Sequence, residues 1–177
     1  MANETGLVHV YYGDGKGKTT AAFGLAFRCA GYGHSIVIAQ FLKSRSSGEL
    51  AAAERFPEIT VLRGHSLKKF TFQMNEEEKA QLRRDCEDLF SRAAALAIEK
   101  NARLLVLDEC LDACVGGGLP LERLTAFLAG RPDGMEVVIT GHSLPEEIIA
   151  SADYISKVVK EKHPYDEGIT ARKTIEY

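Results

Sequence analysis

The segment "LLVLDE", residues 104–109, is an unbroken apolar run that ends in two acids. A strand with no polar alternation cannot leave a face in water, so it has to be covered on both sides. Similar runs occur at "LVHVYY" (7–12), "SIVIAQF" (35–41), "EITVLR" (58–63), "EVVIT" (136–140) and "YISKVV" (154–159). Helical stretches separate them. An amphipathic stretch after the first run reaches Ala30 and stops at Gly31 and Gly33. The alanine-rich "ELAAAERF" precedes the third run. Asn75 followed by Glu78 reads as an N-cap with a capping box. Leu82, Cys86, Leu89, Phe90, Ala93 and Ala97 then recur at three- and four-residue spacing, the buried stripe of one long helix. "LPLERLTAFLAG" starts a helix at Pro120 and closes it at Gly130, and a short helix begins from Pro145. This alternation predicts an α/β fold, a mostly parallel central sheet with helices on both faces. The longest irregular stretches, Lys43 to Gly48 and Gly64 to Met74, are where function is expected to collect.

At 177 residues the chain is expected to form one domain, residues 1–177, with a substantial core. A net charge of −3 gives no overall pull toward nucleic acid or anionic lipid, so neither is expected as a partner. No apolar run is long enough to span a membrane, and "MANETG" has no charged-then-apolar leader, so a cytoplasmic location is expected. Cys29, Cys86, Cys110 and Cys114 lack paired C-x-x-C spacing and read as reduced, mostly buried thiols rather than a zinc site.

The chemistry sits in "YYGDGKGKTTAAFGLAF", residues 11–27. Phosphate loops follow G-x-x-x-x-G-K-[ST]: the glycines let backbone N–H groups turn inward, the lysine adds a point charge, and the hydroxyl can meet Mg²⁺. Gly17-Lys18-Thr19 supplies the end of that pattern, but its first glycine would fall on Tyr12, and Gly13 comes one residue late. The context still fits, because a strand precedes, a helix follows, and a helix N-terminus attracts anions. Gly13, Asp14, Gly15, Lys16, Gly17, Lys18, Thr19 and Thr20 are therefore the candidate nucleotide-binding residues. Asp108 and Glu109 end the most apolar strand, where open α/β sheets bind ligands, and are candidate Mg²⁺ ligands together with Thr19. Without a phosphate loop, two such acids would read as a solvated strand end or a helix N-cap. A mononucleotide with Mg²⁺ follows from these residues; the reaction does not.

"GDGKGKTTAAFGLAFRCAGYG", "AQFLKS", "FTFQMN", "LLVLDE", "VVITGHSLPEEIIASAD" and the tail "EKHPYDEGITARKTIEY" together resemble the ATP:corrinoid adenosyltransferases of the phosphate-loop type, from about Gly6 to Tyr177. That family shares the shortened loop. The resemblance implies a phosphate-loop, RecA-like architecture and a reaction in which Co(I) of a corrinoid such as cobalamin or cobinamide attacks the 5′ carbon of ATP, expelling triphosphate. Lys18 would act on the leaving group, and Arg28 would be a further nucleotide contact, its alternative being a helix-surface arginine. Phe70 and Phe72 would lie beneath the corrin ring and keep the lower axial ligand off cobalt; otherwise they are core strand residues. The resemblance also implies a homodimer. No flavin or iron–sulfur signature is present, so an external electron donor such as a reduced flavoprotein is implied. The rival readings are a small-molecule kinase or ATPase and a nucleotide-binding regulator, told apart by whether triphosphate, ADP or neither is released.

Overall fold

The computed structural model describes residues 5–43, 46–64 and 73–176. Six strands form one sheet: β1 (Val8–Tyr12), β2 (Ile36–Gln40), β3 (Ile59–Arg63), β4 (Leu104–Asp108), β5 (Glu136–Gly141) and β6 (Tyr154–Lys157). Their order is β3-β2-β4-β5-β1-β6 and every pairing is parallel. Each expected apolar run is a strand, with ends moved by a residue or two. The helices are α1 (Lys18–Ala30), α2 (Gly48–Ala53), α3 (Glu76–Glu99), α4 (Cys110–Val115), α5 (Leu121–Gly130) and α6 (Glu146–Ile149), with a 3₁₀ turn at Pro164–Glu167.

The central strands are covered on both sides, as their unbroken apolar sequence requires. Alternate residues serve opposite faces. Leu105 and Leu107 of β4 pack with Val137 and Ile139 against the α3 stripe and against Leu124 and Leu128 of α5. Leu104 and Val106 pack with Ile36 and Ile38 against Ala22, Phe23, Ala26 and Ala30 of α1. All 5 residues of β2 and of β4 are buried, whereas the edge strand β6 is exposed throughout.

The α3 start forms as its sequence indicates: Asn75 Oδ1 accepts from the Glu78 amide at 2.9 Å, and the Glu78 carboxylate accepts from the Asn75 amide at 2.9 Å. Pro120 differs by one position, since it stands at the N-cap of α5 rather than inside the first turn. The short α4 helix follows Asp108 and Glu109 directly, with Glu109 at its N-cap in the left-handed region, φ 60°. Among the described residues, no helix is long and apolar enough to cross a membrane.

All four cysteines are free. Burial pushes the Cys86 thiol up to about 12 and raises that of the enclosed Cys110 well above its ordinary value. Because the thiolate is the reactive form, a raised value means less of it at mildly alkaline pH. A thiol reagent should therefore leave Cys86 and Cys110 unlabelled in the folded protein and modify them after denaturation. Prompt labelling of both in the native state, read by mass spectrometry, would contradict this packing.

Candidate functional site

Parallel register sets the site. Tyr12 lies opposite Gly141, Leu107 opposite Ile139, and Gln40 opposite Asp108, so β1, β5, β4 and β2 end along one line. The loop between β1 and α1 crosses that line. Its glycines have separate duties. A Cβ on Gly13, where φ is +119°, would lie 2.3 Å from the Val158 carbonyl oxygen, and one on Gly15 would lie 2.8 Å from the backbone of Val159. Both positions are therefore fixed by the close approach of the segment after β6. Gly17, at φ +115°, has open space where a side chain would be; its glycine serves the turn into α1.

The backbone amides of the loop divide in the same way. The Gly13 amide donates to the Gly141 carbonyl at 3.2 Å and the Gly15 amide to the Val158 carbonyl at 2.9 Å. Asp14 faces the other way, its carboxylate accepting from the Lys160 amide at 3.1 Å. The first intrahelical bond runs from Ala21 to Gly17 at 2.8 Å, which leaves the amides of Gly17, Lys18, Thr19 and Thr20 as the N-terminal set that an α-helix cannot satisfy itself. Lys18 folds back over the loop and donates to the carbonyls of Gly13 at 2.7 Å and Gly15 at 2.9 Å.

Asp108 is the centre of the polar floor and is fully buried. One carboxylate oxygen accepts from the hydroxyls of Thr19 at 3.0 Å and Thr140 at 2.8 Å. The other accepts from the Gln40 amide at 3.0 Å and the Lys43 ammonium at 2.6 Å. Lys43 also donates to the Thr19 hydroxyl at 2.7 Å and lies 3.6 Å from Glu109 Oε1. The Thr140 hydroxyl in turn accepts from the Glu109 amide at 2.8 Å. Burial raises the Glu109 carboxyl above its ordinary value, with Lys43 opposing and Asp108 adding to the rise. Neither acid is a solvated strand end, and Glu109, although at an N-cap, makes no capping hydrogen bond with its side chain.

A cavity of about 470 Å³ opens over this floor. Lys16, Gly17, Lys18, Thr19 and Thr20 line it, with Lys43, Glu109, Thr140 and His142 on the facing wall. Ile175 and Glu176 reach it from the C-terminal segment. Arg172 binds Glu176 with its guanidinium and its backbone amide, which holds the Glu176 carboxyl down to about 2.

Of the residues singled out from sequence, the structure brings together Gly15, Lys16, Gly17, Lys18, Thr19, Thr20 and Glu109 as pocket lining, with Asp108 beneath. Arg28 is elsewhere: it is exposed in the last turn of α1, nine residues on from Thr19 and about 14 Å along the helix axis. There it complements the helix dipole. Phe70 and Phe72 lie outside the described residues. Sequence reasoning did not single out Gln40, Thr140, His142 or Glu176, and reached Lys43 only as the start of the irregular stretch 43–48. Lys43 had a usable signal, a lysine three residues beyond an apolar strand whose end lies at the same sheet edge.

Fold and site define a phosphate-loop nucleotide-binding protein of the parallel α/β class. A model of the family described as ATP:corrinoid adenosyltransferase BtuR/CobO/CobP matches residues 4–177. The chain is 33% identical over 177 residues to a corrinoid adenosyltransferase of Pseudomonas aeruginosa, covering 99% of this chain and 85% of that one. It is 31% identical over 181 residues to one of Escherichia coli K12, covering 99% and 87%, and 31% identical over 180 residues to one of Salmonella typhimurium, covering 98% and 87%. The chain belongs to the ATP:corrinoid adenosyltransferase family.

A methyl group at Gly13 would displace the segment at Val158 and force a strained backbone. Gly13→Ala is expected to lower ATP affinity at least about tenfold while the protein stays folded, measured by calorimetric titration beside thermal unfolding. Affinity unchanged from the parent would mean that the loop is not held by this contact.

Proposed function

We propose that this chain transfers the 5′-deoxyadenosyl group of ATP to the Co(I) of a corrinoid, releasing intact triphosphate. The observation that carries the reading is the family match over residues 4–177, in a chain whose phosphate loop opens onto the pocket described above. The cobalt supplies an electron pair to the 5′ carbon and becomes formally Co(III). The C5′–O bond breaks and its electrons leave on the triphosphate.

Charge therefore grows on the polyphosphate during the reaction. Lys16, Lys18 and the amides of the first turn of α1 line the same pocket and would meet it, gaining more from the departing anion than from the ground state. The Asp108 network is the support that keeps Thr19 in register with Lys18.

Magnesium fits the residues present. The Lys43 ammonium lies against Thr19 Oγ1 and Asp108 Oδ2 and near Glu109, a cluster of oxygens that already attracts a cation. Hard oxygen donors suit Mg²⁺, which retains water and substrate phosphates and needs few protein ligands. Thr19, Asp108 and Glu109 would hold the ion, whose chemistry is to neutralise polyphosphate charge.

The same reading assigns Phe70 and Phe72 to the lower face of the corrin, requires an external electron donor such as a reduced flavoprotein, and includes a homodimer in the cytoplasm. Neither nucleic acid nor membrane enters it.

The test is incubation with ATP, Mg²⁺ and chemically reduced cobalamin, following the visible spectrum and the phosphorus products. A light-sensitive alkylcobalt product with matching triphosphate is expected; ADP with unalkylated corrinoid would refute it. Lys18→Ala should cut kcat/KM for ATP by about 100-fold or more, and unchanged turnover at saturating ATP would contradict the role of Lys18. Phe70→Ala should slow the reaction from Co(II) at least about tenfold more than the reaction from pre-reduced Co(I). Equal losses in both assays would remove the axial-ligand argument.

A further inference from the structure

Among the described residues, the charged side chains lining the pocket nearly cancel. Lys16, Lys18 and Lys43 face it, and so do Glu49, Glu109 and Glu176. Glu176 is already paired with Arg172. One further lining residue can offer a hydrogen bond to an anion, and it is His142.

His142 directly follows β5. Gly141 before it lets α4 approach closely, since a Cβ there would lie 2.6 Å from Leu111 Cβ. That contact brings Asp112 of α4 under the histidine. One Asp112 oxygen accepts from the His142 backbone amide at 3.0 Å, and the other meets His142 Nδ1 at 3.0 Å. Because a carboxylate only accepts, the ring proton belongs on Nδ1, and Nε2 is the nitrogen left for another partner. The histidine side chain is 64% exposed, so this ion pair adds little to folding. The double grip nevertheless fixes both the backbone and the ring. Such fixing is useful for orienting the imidazole and has little value for the core.

We propose that His142, held by Asp112, is a positioning residue for the polyphosphate of ATP, its ring bridging the Asp112 carboxylate and a phosphate oxygen. This rests on the nucleotide reading above and deepens it, because His142 then adds an oriented contact on the wall facing the phosphate loop. It also assigns Asp112 a role through another residue: it fixes the ring orientation.

The experiment is calorimetric titration of wild-type, His142→Ala, His142→Gln, His142→Arg and Asp112→Asn proteins with tripolyphosphate plus Mg²⁺, with thermal unfolding followed in parallel. His142→Ala and His142→Gln should weaken tripolyphosphate binding about tenfold, as loss of a charge-assisted hydrogen bond would. His142→Arg should recover most of the affinity, because arginine is always charged and donates to phosphate. Asp112→Asn should fall between. Recovery by arginine separates a phosphate contact from a purely structural histidine. Wild-type binding matched by His142→Ala, or arginine no better than alanine, would overturn the inference while leaving the nucleotide reading intact. A wild-type protein that binds no tripolyphosphate would overturn both.

Discussion

A single carboxylate organises this molecule's working edge. Asp108 is fully buried at the end of β4. A buried charge is tolerated only when it is paired and its lone pairs are used. Here both oxygens are doubly engaged: two hydroxyls, from Thr19 and Thr140, on one, and the Gln40 amide and Lys43 ammonium on the other. These four donors come from α1, β5, β2 and the segment after β2. Satisfying one anion thus fixes how four parts of the chain sit relative to one another. The parallel register that sets Gln40 opposite Asp108 is the backbone counterpart of the same constraint.

The phosphate loop depends on that edge and on a second neighbour. Its early glycines are shaped by the backbone at Val158 and Val159, just beyond β6. The amides free for an anion then begin at the start of α1 rather than at the first glycine. A loop one residue short of the usual pattern is compatible with phosphate chemistry for this reason. Helix N-terminus, lysines and hydroxyls supply the field, and the glycines supply the room. Lys43, resting against Thr19 and Asp108, occupies the part of the floor where a cation is most favoured.

Much of this was legible in the sequence because it rests on local rules. Runs rich in apolar and β-branched residues marked six strands, three- and four-residue spacing marked α3, and Asn75 with Glu78 marked its cap. Gly17-Lys18-Thr19 and the acids after "LLVL" marked the site, since strand ends in parallel sheets face one edge. The missed residues share another property. Thr140 reads as one more residue in an apolar strand, and Gln40 as a polar slip near the end of another; only strand order makes them neighbours of Asp108. Glu176 lies far along the chain from the loop and reaches the pocket through tertiary folding. Arg28, named only through the family resemblance, stands in the last turn of a 13-residue helix. For Phe70 and Phe72 only the family resemblance speaks.

The claim that most of this rests on is that the Asp108 carboxylate holds the nucleotide site together. Its most direct test is the affinity of Asp108→Asn for Mg²⁺ and ATP, measured by calorimetry on protein shown by circular dichroism to be folded. Asparagine keeps the shape but turns an NH₂ group toward the donors that now converge on an oxygen. The account predicts a loss of affinity of about tenfold or more, as expected when charge-assisted bonds are broken. Affinity within about twofold of the parent, the range of an uninvolved substitution, would contradict it.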